Sequence, residues 1–186
     1  ANVINSGAGN DTINVTLGAA SGSVTVNAGA GQDTINLTLS NAQTATIKVS
    51  EGHSTLSAYD SIKGLALTAT ANKITLDFDG TAAKATAVVS DSVSGYTAAE
   101  LTYSIASTGV LSFAGTKAST LTVDQKAYLA STLVTDVAKN TIVFNHTDAG
   151  SATADSYVFN NGATTDSLVK LVGVTVTDLD GAATAG

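Results

Sequence analysis

Asp11 and Asp33 close two near-identical turns, Ser6-Gly7-Ala8-Gly9-Asn10-Asp11 and Ala28-Gly29-Ala30-Gly31-Gln32-Asp33. Each turn leaves through Thr-Ile-Asn, and the interval between them is 22 residues. Glycine at alternate positions costs backbone entropy but reaches angles denied to other residues. A turn built on it can aim main-chain carbonyl oxygens inward and place a carboxylate at its exit. Ca²⁺ is a hard cation that takes about six to eight oxygens and accepts both kinds. One turn supplies too few. Two turns stacked one coil apart can hold the ion between them and offset the repulsion of their acids. The candidate ligands are Gly7, Gly9, Asn10 and Asp11 from the first turn, Gly29, Gly31, Gln32 and Asp33 from the second, and Glu51 from a weaker third turn at Glu51-Gly52. The competing reading is that Asp and Asn simply suit tight turns. Two such turns in register, each followed by the same tripeptide, favour the cation.

Other chemistry finds little footing, and the sequence reads as a non-enzyme. There is no Cys, hence no thiol nucleophile and no Cys-based zinc site. The two histidines, His53 and His146, form no His-Glu-x-x-His, and no Gly-x-Ser-x-Gly elbow occurs. His146-Thr-Asp148 pairs a base with a carboxylate but nominates no nucleophile. Asp155 and Asp166 flank a strand pair and offer a second cation site, against the plainer reading of carboxylates in turns. Asp77 and Asp79 share one face of a strand end and read first as a turn. The Asn-x-Ser/Thr triplets at Asn10, Asn14, Asn36 and Asn145 are expected by chance in a Thr-rich chain. The Thr ladders are ordinary strand material.

The elements that must carry these residues follow from periodicity. Ile13, Val15 and Leu17 alternate with Asn14 and Thr16, and Ile35, Leu37 and Leu39 with Asn36 and Thr38, the period of half-buried strands. Turn, strand, looser turn and strand make one repeat, and stacked repeats bury a continuous core. Residues 1–59 are therefore expected to form a short parallel β-solenoid, with a decayed third coil in Thr46–Ile62. Residues 60–186 are expected to form an antiparallel, sandwich-like β-rich part. In it Thr122 and Gln125 make a capping box for one helix over about 123–137, with Leu129, Leu133 and Val137 at helical spacing. The fold class is mostly β. An apolar fraction of 44% with only 5% aromatic residues predicts thin core layers of small side chains. Net charge −7 makes nucleic acid and anionic membranes poor partners. No apolar run reaches membrane-spanning length. A chain beginning at Ala1 is expected to be part of something longer.

The two turns resemble the nonapeptide repeat of the RTX family, Gly-Gly-x-Gly-x-Asp-x-apolar-x, whose parallel β-roll binds Ca²⁺ between coils. Ser6 and Ala28 stand where that repeat has its leading Gly, and the 22-residue spacing exceeds two nonapeptides. The resemblance therefore implies Ca²⁺ on one side of the coils only, with one complete site and one partial site that borrows Glu51. A second resemblance rests on "AYDSIKGL" (58–65), "QKAYLAS" and the tail "DSYVFNNGATTDSLVKLVGV" (155–174). These segments are similar to the C-terminal region of type I-secreted RTX surface-layer proteins of Gram-negative bacteria. That likeness implies a C-terminal export signal read by type I secretion machinery and folding outside the cell. It also implies self-association into a two-dimensional lattice, with cell-surface polysaccharide engaged through other parts of the protein. The alternative within the same family is the C-terminal module of a large adhesin that binds a surface or glycan.

Overall fold

The computed structural model describes residues 2–18, 22–39, 43–65, 73–78, 83–84, 88–134 and 140–179. The protein is mostly β with one α-helix. In the N-terminal part successive strands fall alternately into two sheets. β1 (Asn2–Asn5), β3 (Ser23–Asn27), β5 (Thr44–Lys48) and β7 (Lys73–Asp77) pair in parallel as one four-stranded sheet. β2 (Thr12–Thr16), β4 (Thr34–Thr38) and β6 (Asp60–Lys63) pair in parallel as a second run. The register sets Ile13 beside Ile35 and Ile35 beside Ile62, so identical side chains stack. Alternation then decides what is inside: Ile13, Val15, Val24, Val26, Ile35, Leu37, Ile47 and Ile62 enter one core shared by both sheets. Each such residue stabilises the fold by about 1.5–3 kcal/mol when fully buried. The parallel pairing and the shared core agree with a stacked repeat; the links at 19–21, 40–42 and 66–72 lie outside the described residues.

The C-terminal part does contain antiparallel structure. β9 (Val88–Ser92), β10 (Thr102–Ile105) and β11 (Leu111–Ala114) form a three-stranded sheet. β12 (Asn140–His146), β13 (Asp155–Asn160) and β14 (Ser167–Leu171) form a meander. The meander is not set apart from the repeat, however. β14 pairs in parallel with β6, Val169 beside Asp60 and Leu171 beside Ile62, and the short β8 (Ala83–Lys84) closes the far edge. The result is one seven-stranded sheet in the order β2-β4-β6-β14-β13-β12-β8. The boundary read between residues 59 and 60 thus falls at the start of a strand hydrogen-bonded on both sides.

The meander strands are apolar on both faces because both faces are covered. Val143, Val158 and Val169 join the core of the repeat. Ile142, Phe144, Tyr157, Phe159 and Leu168 pack on the opposite side against α1 (Val123–Leu133), Ile105 and Leu111. The capping box forms as expected: Gln125 N–H donates to Thr122 Oγ1 at 3.3 Å and Thr122 N–H to Gln125 Oε1 at 2.9 Å. The helix buries a different stripe from the one read from the sequence. Ala127, Ala130 and Val134 face the sheet, while Leu129 and Leu133 are only partly buried. Alanines let the helix approach the sheet closely, and the leucines cover its flanks. Val137 lies outside the described residues.

Candidate metal centre

The two glycine-rich turns lie against one another as the repeat requires. Ala8 bridges Ala30 in parallel, Gly9 N–H donates to Ala30 O at 2.8 Å and Ala30 N–H to Gly7 O at 3.0 Å. Ser6 Oγ–H donates to Ala28 O at 2.6 Å, and Gln32 N–H to Asn10 Oδ1 at 3.0 Å. All four turn glycines have positive φ, between 92° and 144°. Two of them answer a second demand. A Cβ on Gly29 would lie 1.7 Å from Gly7 O, and one on Gly31 would lie 2.1 Å from Gly9 O; Gly7 and Gly9 have open space there. The glycines of the second turn are therefore needed for the close approach of main chain to main chain, and the carbonyls of Gly7 and Gly9 point into the gap between turns.

Asp11 and Asp33 occupy the last inward-facing position before β2 and β4, two residues ahead of Ile13 and Ile35 on the same strand parity. Asp60 repeats the placement ahead of Ile62. The three form a column in which the carboxylates of Asp33 and Asp60 each accept the main-chain N–H of the aspartate before them. Asp11 N–H donates to Asp33 Oδ1 at 2.7 Å, and Asp33 N–H donates to Asp60 Oδ1 at 2.9 Å. The column ends on a neutral group: Asp60 N–H donates to Ser54 Oγ at 2.8 Å, and the Ser54 hydroxyl donates to Leu168 O. Asp33 is 0% exposed and Asp60 3%. The second carboxylate oxygens of Asp11 and Asp33 are buried without a hydrogen-bond partner. Burial, reinforced by the charge of Asp11, raises the Asp33 carboxyl above its usual range, against the opposing pull of the Asp11 N–H and of His53. Burial chiefly, with the charge of Asp33, pushes Asp60 up to about 7. The column thus keeps two buried carboxylate oxygens that its own donors do not satisfy.

The structure brings together eight of the nine residues nominated from sequence and sends the ninth elsewhere. The carboxylate of Glu51 accepts the Ala163 N–H and, at 2.7 Å, the Thr164 hydroxyl, so it fastens the loop between β13 and β14. The third level of the stack is instead made by the His53 carbonyl, which accepts the Gly31 N–H at 3.3 Å, and by Asp60. Asp60 carries a sequence signal, since Asp-Ser-Ile at 60–62 repeats Asp-Thr-Ile at 11–13 and 33–35. The step of 27 residues rather than 22 hides it. Asn10 Oδ1 and Gly7 O are already engaged between turns. Among the described residues no group of three or more His, Asp or Glu side chains converges as a metal cage. A cation here would rest on the two orphaned carboxylate oxygens of Asp11 and Asp33 and on main-chain oxygens of the turns. That donor set is one Ca²⁺ accepts.

Asp155 and Asp166 do not form a joint site, because the antiparallel register of β13 and β14 sets them at opposite ends of the hairpin. Asp155 already has an internal cation: its Oδ2 lies 2.7 Å from Lys170 Nζ, and its Oδ1 accepts the Gly173 N–H at 2.7 Å. Lys170 Nζ also stands 5.5 Å from the centre of the Tyr157 ring. His146 Nε2 is 3.4 Å from the exposed Asp148. Asp79 lies outside the described residues. Comparison of the chain with protein-family models, with curated proteins and with solved structures finds no match.

Proposed function

We propose that the chain is a calcium-stiffened structural segment of a secreted, RTX-type bacterial surface-layer protein. In this reading β1 to β7 are coils of a parallel β-roll, the remainder is a β-rich C-terminal part ending in a type I export signal, and the protein self-assembles into a two-dimensional lattice on the cell surface. One observation carries the proposal: Asp11 and Asp33 stand in register at the exits of stacked glycine turns with buried carboxylate oxygens that lack partners. Ca²⁺ supplies neutralisation of those two charges when bound. The chain supplies the rest: the glycines allow the turns to approach, the Asp11 N–H fixes the Asp33 carboxylate, and the shared core holds the coils in register. The test is to add Ca²⁺ to the purified chain and follow assembly by electron microscopy and light scattering. Ordered sheets that form with Ca²⁺ and dissolve on chelation support the proposal. A persistent monomer at saturating Ca²⁺ contradicts the lattice role.

A further inference from the structure

We infer that the cleft between β11, the 3-10 helix at Ala118–Thr120 and α1 binds a small hydroxylated carboxylate, of the size of one sugar acid, with Lys126 as its anion-binding group. The cleft has a volume of about 500 Å³, within the range of small-molecule sites. Val110, Leu111 and Phe113 supply apolar lining, and Ser112 and Ser119 are exposed hydroxyl residues of the same lining. Lys126 reaches in from the first turns of α1. Its Nζ donates to Asn145 O at 3.0 Å, which uses one of three ammonium protons and leaves two. Burial holds its pKa below the usual lysine range, and no carboxylate contributes to its surroundings. Among the described residues the ion pairs are those of His146 with Asp148 and Lys170 with Asp155, so Lys126 has no acid partner. Its charge also helps, after burial, to hold His146 below the ordinary imidazole range.

Lysine is rarely buried without a partner. Here it is half-buried in a chain of net charge −7 that has 15 acidic residues to offer. Anchoring the Asn145 carbonyl needs a donor, not a charge. The positive charge is accounted for by an anion that enters from outside. A single ammonium with no guanidinium fork beside it matches a monoanionic carboxylate better than a phosphate dianion. A lining that mixes hydroxyls with apolar groups and an aromatic ring matches a ligand that carries both hydroxyl and C–H surface. The inference stands on the cleft alone and does not depend on the calcium reading.

Titration of the full chain with glucuronate, followed by amide chemical shifts and calorimetry, tests it. The expected result is saturable binding, with shifts at the cleft and affinity that falls with added salt. Glucose and inorganic phosphate should each bind at least about tenfold more weakly, the scale of one charge-assisted hydrogen bond. Lys126→Met, which keeps the length of the side chain, should lose glucuronate binding by a similar factor. Ser119→Phe, at an exposed rim position, should block the mouth and provides the test if Lys126→Met does not fold. No saturable shift with glucuronate, phosphate binding as tightly as glucuronate, or binding unchanged in both variants would overturn the inference.

Discussion

Replacing Asp33 with Asn separates the metal account from a purely structural one, because the two predict opposite changes. Asp33 is 0% exposed, and one of its carboxylate oxygens has no partner. In the chelated protein the substitution keeps an oxygen to accept the Asp11 N–H and removes a buried charge that repels Asp11. Relieving that repulsion, at about 1 kcal/mol, should raise the melting temperature of the chelated protein by about 2–4 °C for a chain of this size. With free Ca²⁺ a hundredfold above its Kd, the wild-type protein should gain about 2.7 kcal/mol, or about 5–10 °C. The Asn variant should gain almost nothing, so the two melting curves exchange order between chelator and calcium. Scanning calorimetry in both buffers reads this directly. The reasoning is refuted if the variant melts below wild type in chelator and keeps the full calcium increment.

Two further expectations follow from the geometry. Gly29→Ala should destabilise by roughly 3 kcal/mol or more, since its Cβ would meet a main-chain oxygen, whereas Gly7→Ala should cost only about 1–2 kcal/mol of backbone strain; urea unfolding of the two variants compares them, and equal losses would remove the close-approach argument. Lys170→Met should destabilise by about 2 kcal/mol by leaving Asp155 partly buried without its cation. In the wild type, burial raises the Asp155 carboxyl, but the Lys170 and Gly173 donors outweigh it and hold its pKa below 3.8. The stability contributed by the pair is therefore complete above pH 3.8 and lost as pH falls through the folded value. Acid unfolding profiles should show that loss in wild type and a flatter curve in the variant.

What was legible in the sequence was what repeats locally. Gly-x-Gly-x-Asp-Thr-Ile-Asn gave the register of β2 on β4 because 22 residues separate both the motif and the strands it opens. The parity of Asp-x-Ile also sets the carboxylates on the core side, a signal that became plain only once the strands were in place. Thr122 and Gln125 announced the helix start because a capping box is a contact across three residues. Asp60 escaped because the third coil is five residues longer, which broke the interval while preserving Asp-Ser-Ile. Glu51 was misdirected for a related reason: a Glu-Gly pair resembles the earlier turns, yet its partners at 163 and 164 lie over a hundred residues away. The pairing of β6 with β14 is of the same kind, fixed by burial on both faces rather than by any local pattern. The helix stripe was misread because the leucines were taken as the core face, when Ala127, Ala130 and Val134 are the residues buried against the sheet.

The most direct measurement is a crystal structure grown in excess Ca²⁺, with anomalous scattering collected at long wavelength. The account predicts an anomalous peak between the two glycine turns, bonded to the free carboxylate oxygens of Asp11 and Asp33 and to turn carbonyls. Water alone at both oxygens, with no anomalous signal, would contradict it.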